Sequence, residues 1–274
     1  VIYETYIPSP PFDRFIQNIW YWESSDAPGH VKDTIMASGR MGLMINLLED
    51  ELRWYDGEKF QTKNRLRGIG LCGTQSRHFA IDALQQKIMG VQFRPGGTCP
   101  FFGPLASDFE DRHISLADFW GGNRAHSLHM QLIETPGIAA KFRIVLDALV
   151  ENAARDFAHH PAVSQALAVF NRKPMTSRVA GVAVDADVSQ KKLIRLFSQQ
   201  VGCTPKLYLR VTRFQRLLDR VWNAPHVDWA QIAAAHGYYD QPHLIRDFRE
   251  FSGFTPSEYL ARRGQFQQHV PLPA

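Results

Sequence analysis

The stretches SQKKLIRLFSQQVGCTPKLYL (189–209) and DQPHLIRDFREFSGFTPSEYL (240–260) match at an offset of 51 residues. Leu193, Ile194, Arg195 and Phe197 recur as Leu244, Ile245, Arg246 and Phe248; Gly202, Thr204, Pro205, Tyr208 and Leu209 recur as Gly253, Thr255, Pro256, Tyr259 and Leu260. Identity this dense in one register marks two copies of one supersecondary unit. Ser189 and Asp240 are helix N-caps, because their side-chain oxygens accept from free backbone N–H groups. Pro242 falls in a first turn, where a missing N–H costs little. Leu193, Leu196, Phe197 and Val201 follow the i, i+3, i+4 spacing of one buried face, as do Leu244, Phe248 and Phe251. Gly202 and Gly253 end these helices, and Thr-Pro at 204–205 and 255–256 starts the next.

A short amphipathic helix precedes each copy. Before the second, Asp228 caps Trp229, Ile232 and Ala233, and Gly237 supplies the positive φ of a tight turn. Before the first, Val179, Ala180, Val182 and Ala183 lead into Asp185-Ala186-Asp187, where Asp must stand in for Gly. Helix, tight turn and capped helix make a helix-turn-helix unit. Between the copies, residues 205–220 read as one helix with Leu207, Val211, Phe214, Leu217 and Leu218 inward. Its Arg210, Arg213, Arg216 and Arg220 form a basic stripe, read equally as a solvated face or as phosphate contacts.

Charge follows the same division. Of the 274 residues, those from 161 onward hold 15 Lys and Arg against 8 Asp and Glu, while residues 1–160 hold 16 against 19. The basic half is the part suited to a polyanion. Apolar residues at 45% and charged residues at 21% exclude general disorder. No apolar run is long enough for a membrane span, no leader segment is expected from the first residues, and three scattered cysteines fit a reducing cytoplasm.

Two such units place two recognition helices in successive major grooves, roughly 34 Å apart. Side chains early on each helix, and one turn later, reach base edges: Gln190, Lys191, Ile194 and Arg195 in the first unit, Gln241, His243, Ile245 and Arg246 in the second. Lys and Arg suit guanine, Gln suits adenine. At these residues the sequence resembles the AraC/XylS family of bacterial transcription regulators. Residues 228–260 carry its signature, and 189–218 match its first motif and connecting helix. The resemblance covers about 161–264 and implies a seven-helix DNA-binding domain, with Lys191, Arg195, Gln241 and Arg246 at reading positions. Pro242 and Asp187 depart from the family pattern. Double-stranded DNA is the implied partner; a homodimer, contact with RNA polymerase and a cytoplasmic, nucleoid-associated location go with it.

The front half reads as short strands: MGLMINLL (41–48), RLRGIGLCG (65–73), HFAIDAL (78–84) and KIMGVQFRPGG (87–97). From 123 to 157 the pattern is helical, with Leu128, Leu132 and Ile133 on one face and Phe142, Val145, Leu146, Leu149 and Val150 on another. The Trp20-Tyr21-Trp22 cluster, the INL run (45–47), GVQFRPGG (90–97), Pro100 and Phe101 resemble the front region of a poorly characterised AraC-type subgroup, which implies a cupin-like regulatory domain. The expected fold class is therefore α+β: a mainly-β regulatory domain over 1–122, linker helices over 123–160 with a dimerising role, an all-α domain with two helix-turn-helix motifs over 161–264, and a tail over 265–274.

Trp20, Trp22, Trp54 and Arg94 are candidate lining for an effector pocket; aromatic core is the ordinary alternative for the tryptophans. Arg94-Pro95-Gly96-Gly97 reads as a tight turn ahead of an anion cradle. His126 and His129 read as helix-surface residues ahead of metal ligands, and Cys72, His78 and Cys99 as core rather than a metal or redox site. No catalytic residue, metal or cofactor is assigned, since no Ser/His/Asp elbow, dinucleotide fingerprint or HExxH occurs. The function expected is a sequence-specific DNA-binding transcription regulator controlled by a small-molecule effector or by dimerisation. The alternatives are an architectural DNA-binding protein and a metal-dependent cupin-like enzyme with a DNA-binding tail.

Overall fold

Alternating apolar residues in the first 115 positions build two antiparallel sheets in the computed structural model, which describes residues 1–25, 30–56, 60–103, 106–153, 158–264 and 266–272. The strands are β1 (Ile2–Tyr6), β2 (Ile16–Glu23), β3 (Lys32–Ile35), β4 (Gly42–Asn46), β5 (Glu51–Asp56), β6 (Thr62–Arg67), β7 (Ile69–Cys72), β8 (Phe79–Asp82), β9 (Lys87–Phe93), β10 (His113–Ser115) and, far away in sequence, β11 (His269–Leu272). One sheet runs β1-β2-β9-β4-β7-β10 and the other β11-β3-β8-β5-β6. The expected two-part α+β organisation is what the chain adopts.

Period two decides what each face of the first sheet meets. Ile19, Tyr21, Leu43, Ile45, Met89 and Val91 are buried on one side. There they pack with Leu128 and Leu132 of α3 (Gly122–Glu134) and with Phe142, Val145 and Leu149 of α4 (Ile138–Glu151). These two helices therefore belong to the core of the β domain. Ile133 and Val150, expected on the inner faces, are 40% and 38% exposed. The end of the expected helical stretch, 154–157, lies outside the described residues. Two shorter helices, α1 (Cys99–Phe102) and α2 (Ala117–Trp120), sit in the connections.

Trp20 and Trp22 alternate with Ile19 and Tyr21, so they face the second sheet. Trp20 lies over Gly90, where a Cβ would come within 2.6 Å of the indole. From the second sheet, Trp54 stacks on His113 of the first at 4.5 Å, and Phe79 meets the same imidazole edge-on at 4.9 Å. Trp20, Trp22, Trp54, Phe79 and His113 are all only half-buried and join none of the three hydrophobic cores.

The back half is helical: α5 (Pro161–Arg172), α6 (Val179–Asp185), α7 (Gln190–Val201), α8 (Pro205–Val221), α9 (Trp229–Ala235), α10 (Gln241–Ser252) and α11 (Pro256–Arg262). Phe170, Val182, Leu193, Phe197 and Tyr208 form one core; Phe214, Leu217, Ala233, Leu244, Phe248 and Tyr259 form another. Helix α8 supplies residues to both. No helix among the described residues is long and apolar enough to cross a membrane.

The two helix-turn-helix units differ by one residue. Val188 N–H bonds to Ala183 and Tyr238 N–H to Ala233, both at 3.0 Å, an offset of 50 on the near side of the turn. Past the turn the offset is 51. The extra residue is Tyr239, 93% exposed. Asp187 takes φ +51° where Gly237 takes +71°, so Asp does stand in for Gly.

Within the expected tail, residues 269–272 form a strand. β11 pairs with β3 of the front domain, His269 opposite Ile35 and Leu272 opposite Lys32. Met36 and Ala37, which follow β3, enter the second helical core together with Val270.

Burial between the sheets pushes the His113 pKa down to about 4. The unfolded chain, with an ordinary value of about 6.5, binds more protons in between, so this contribution to stability is lost as pH falls from about 6.5 to about 4. The loss is about 3 kcal/mol across that window. Urea unfolding at pH 7 and pH 4.5 measures it; His113→Gln is expected to flatten the difference.

Candidate nucleic-acid interface

The start of each second helix is fixed by a side-chain cap. Ser189 accepts from Lys192 N–H at 3.2 Å, and Asp240 from His243 N–H at 2.8 Å. The caps leave the first turns of α7 and α10 facing water. Gln190, Lys191 and Arg195 are exposed on α7, and Gln241 and Arg246 at the matching places on α10. Ile194 and Ile245 are half-buried, and Ile245 packs on the second core, so they flank the exposed face.

His243 is turned away from that face. Its ring meets Tyr238 edge-on at 5.3 Å and lies 3.9 Å from Asp247, and its Nδ1 accepts from Tyr239 N–H. The helix presents Arg249 instead, and α7 presents Lys192 at the place corresponding to His243. Neither residue was singled out from sequence, although both fall on the helical spacing that the caps define. Tyr239 lies in the turn, just outside the stretches that repeat at 51 residues, so their register carries no sign of it.

The basic stripe of α8 does not face solvent as a row. Arg210 binds Asp247 at 2.7 Å and Glu250 at 2.6 Å. Arg213 donates to the carbonyl of Gly237 at 3.0 Å and lies over Tyr238. Arg216 donates to the carbonyl of Asn171 at 2.8 Å. These arginines tie the connecting helix to the turn and second helix of one unit and to the end of α5. Burial alone would lower the Arg210 pKa, but hydrogen bonds to Glu250 and Asp247 more than reverse it, so the value is raised.

The far ends of α7 and α10 meet the front domain. Thr74 Oγ1 donates to the carbonyl of Val201 at 2.8 Å, and His78 Nδ1 donates to the carbonyl of Glu250 at 3.1 Å. Ala37 N–H bonds to Phe251 at 2.9 Å. The recognition helices therefore have covered C-terminal ends and open N-terminal ends.

In the front domain the candidate pocket residues are not brought together: Trp20 and Trp22 lie on β2, Trp54 stacks on His113 of β10 four strands away, and Arg94 lies apart from both. It is exposed at the end of β9 and donates to the carbonyl of Asp13 at 2.7 Å. Gly97, in the turn that follows, bonds back to Arg94. His126 faces water while His129 is buried, its Nε2 donating to the carbonyl of Asn46 at 2.7 Å. Cys72 is buried with its pKa raised to about 12 by burial, which leaves it an unreactive thiol.

Two capped second helices, matched residue for residue and joined by one shared helix, define a DNA-binding domain of the double helix-turn-helix class. Residues 182–262 match the family model described as a helix-turn-helix domain, and residues 4–115 match one described as a domain of unknown function (DUF6597). The HTH-type transcriptional regulator GbdR of Pseudomonas aeruginosa is 31% identical over 87 residues, covering 31% of this chain and 22% of that protein, so the match spans about a fifth of the relative's length. A solved transcriptional regulator with an AraC-type DNA-binding domain from Chromobacterium violaceum is 26% identical, over 38% of this chain and 94% of that one, with a TM-score of 0.35. ToxT from Vibrio cholerae O395 overlaps 94% of this chain and 97% of its own at 12% identity and a TM-score of 0.45. Over its helix-turn-helix domain the chain is similar to AraC-type transcriptional regulators, and its front region matches a domain of uncharacterised type.

Arg210→Ala is expected to destabilise the domain by about 3 kcal/mol, because it strands the buried Asp247 carboxylate. Arg195→Ala removes an exposed side chain and leaves stability within about 0.5 kcal/mol. Denaturant unfolding of the two variants beside the parent chain checks the contrast.

Proposed function

We propose that this chain binds particular sequences in double-stranded DNA, with the N-terminal ends of α7 and α10 in successive major grooves, and that a small molecule held by the front domain controls the binding. The observation that carries the first part is the open, capped and matched N-terminal ends of the two helices in a basic domain. Gln190, Lys191, Arg195, Gln241 and Arg246 project from them as the base-reading set. Lys192, Arg249 and Tyr239 stand beside them for phosphate contact.

The support for an effector is two half-buried aromatic patches that face the gap between the sheets, Trp20 and Trp22 on β2 and Trp54 and Phe79 around His113 of β10, four strands away. The second, with its stacked rings, suits a flat or apolar molecule. Arg94 has no part in either patch. Met130 at 38% and Ile133 at 40% exposure on α3, with Val150 on α4, give the apolar face for a homodimer. RNA polymerase as a further partner and the cytoplasm as location belong to the same reading.

Fluorescence anisotropy on a duplex enriched from a random pool tests the DNA part. Affinity is expected to fall steeply with salt. Arg195→Ala or Arg246→Ala is expected to cost about 1–3 kcal/mol on that duplex and much less on unrelated DNA. Equal affinity for every duplex would favour the architectural reading. For the effector, a metabolite panel screened by thermal shift on the full chain should yield a stabilising compound, and Trp54→Ala should abolish its effect.

A further inference from the structure

The loop 73–78 touches both helix-turn-helix units at equivalent places. Gly202 and Gly253, 51 residues apart, are the left-handed C-caps of the two recognition helices, with φ of +93° and +81°. Thr74 sits against the first: a Cβ on Gly202 would lie 2.1 Å from its hydroxyl oxygen. His78 sits against the second: a Cβ on Gly253 would lie 2.9 Å from its ring. Three residues of chain lie between the two contacts, and each is completed by a hydrogen bond, to the carbonyls of Val201 and Glu250.

The loop itself is braced. Asp111 accepts from Ser76 N–H at 2.7 Å, from Ser76 Oγ at 2.6 Å and from Arg77 N–H at 3.1 Å. Gln75 exchanges backbone bonds with Ser38, Gly39 and Arg40. Gly73 fits only without a side chain, since a Cβ there would fall 1.5 Å from the carbonyl oxygen of Phe109.

Without this loop the two units, each with its own core, would be joined within the helical domain chiefly by α8. A single connecting helix leaves them free to rock about it. A second, stiff connection between the far ends of α7 and α10 closes the frame. We infer that Thr74 and His78 are positioning residues for DNA recognition: through the ends of α7 and α10 they set the separation and relative rotation of the two reading helices, and so the spacing of the two half-sites. This rests on the proposed sequence-specific binding. Spacing is a sensitive readout, because one added base pair moves a half-site by about 3.4 Å and turns it by about 35°.

The test enriches binding sites from a duplex pool with 30 random base pairs, using the full-length parent chain and the variants Thr74→Val, His78→Ala and Thr74→Ser. The parent is expected to return two sequence blocks at one spacing. Thr74→Val and His78→Ala are expected to return the same blocks spread over two or more spacings, with at least a tenfold loss of discrimination between neighbouring spacings. Thr74→Ser, which keeps the hydroxyl, is expected to restore the single spacing. Circular dichroism melts show whether each variant is folded; Asp111→Asn, which loosens the brace from outside the contact, gives a further variant with the same expected spread. Folded variants that keep the parent's single spacing overturn the inference while leaving sequence-specific binding intact. A parent chain that enriches no sequence overturns both.

Discussion

One helix is shared between two hydrophobic cores, and the rest of the back half depends on that sharing. Helix α8 gives Tyr208 and Leu209 to the first core and Val211, Phe214, Leu217, Leu218 and Val221 to the second. Its outward arginines hold the turn of the second unit, the buried Asp247 and the end of α5. A change of pitch or length in α8 would therefore rotate one reading face against the other. The front domain adds to this constraint at the opposite ends of the same helices.

The back half was readable because its signals are local. Caps, C-terminal glycines and 3.6-residue spacing act within a dozen residues, and duplication printed them twice. Ser189, Asp240, Gly202 and Gly253 do in the structure what their chemistry requires. The fate of the arginine stripe was not readable. Helical spacing says that Arg210, Arg213 and Arg216 share a face, but the groups they meet lie 24 to 45 residues away in sequence. The inward turn of His243 follows from the inserted Tyr239 beside Tyr238, which shows only when the repeat is compared across the turn.

In the front half, strands 42–46, 69–72, 79–82 and 87–93 fell where alternation and glycine breaks placed them. β2 was harder, because IQNIWYWE is large and apolar on both faces: Ile19 and Tyr21 meet helices, while Trp20 and Trp22 meet the other sheet. Nothing in the order of residues says which face of an aromatic strand is packed and which is left half open. Arg94 shows the same limit from the other side, since its neighbours in sequence share the sheet but not its direction. The helices after 122 read as a linker because their apolar stripes could cover any surface; the strand residues they cover, Ile19 to Val91, lie 37 to 130 positions earlier.

The pairing of β11 with β3 joins segments more than 230 residues apart into one sheet. The second sheet of the front domain is thus incomplete until residues 269–272 join it, and until then β3 carries an unpaired edge, the kind of surface on which chains associate wrongly. Assembly of this protein is therefore not a simple succession from front to back. Residues 269–272 close a sheet begun within the first forty residues, a contact of very high sequence separation and correspondingly slow to form. A front domain cut away from its partner would lose both the cover over Met36 and Ala37 and the strand beside them, so the natural unit of folding is the whole chain rather than either half.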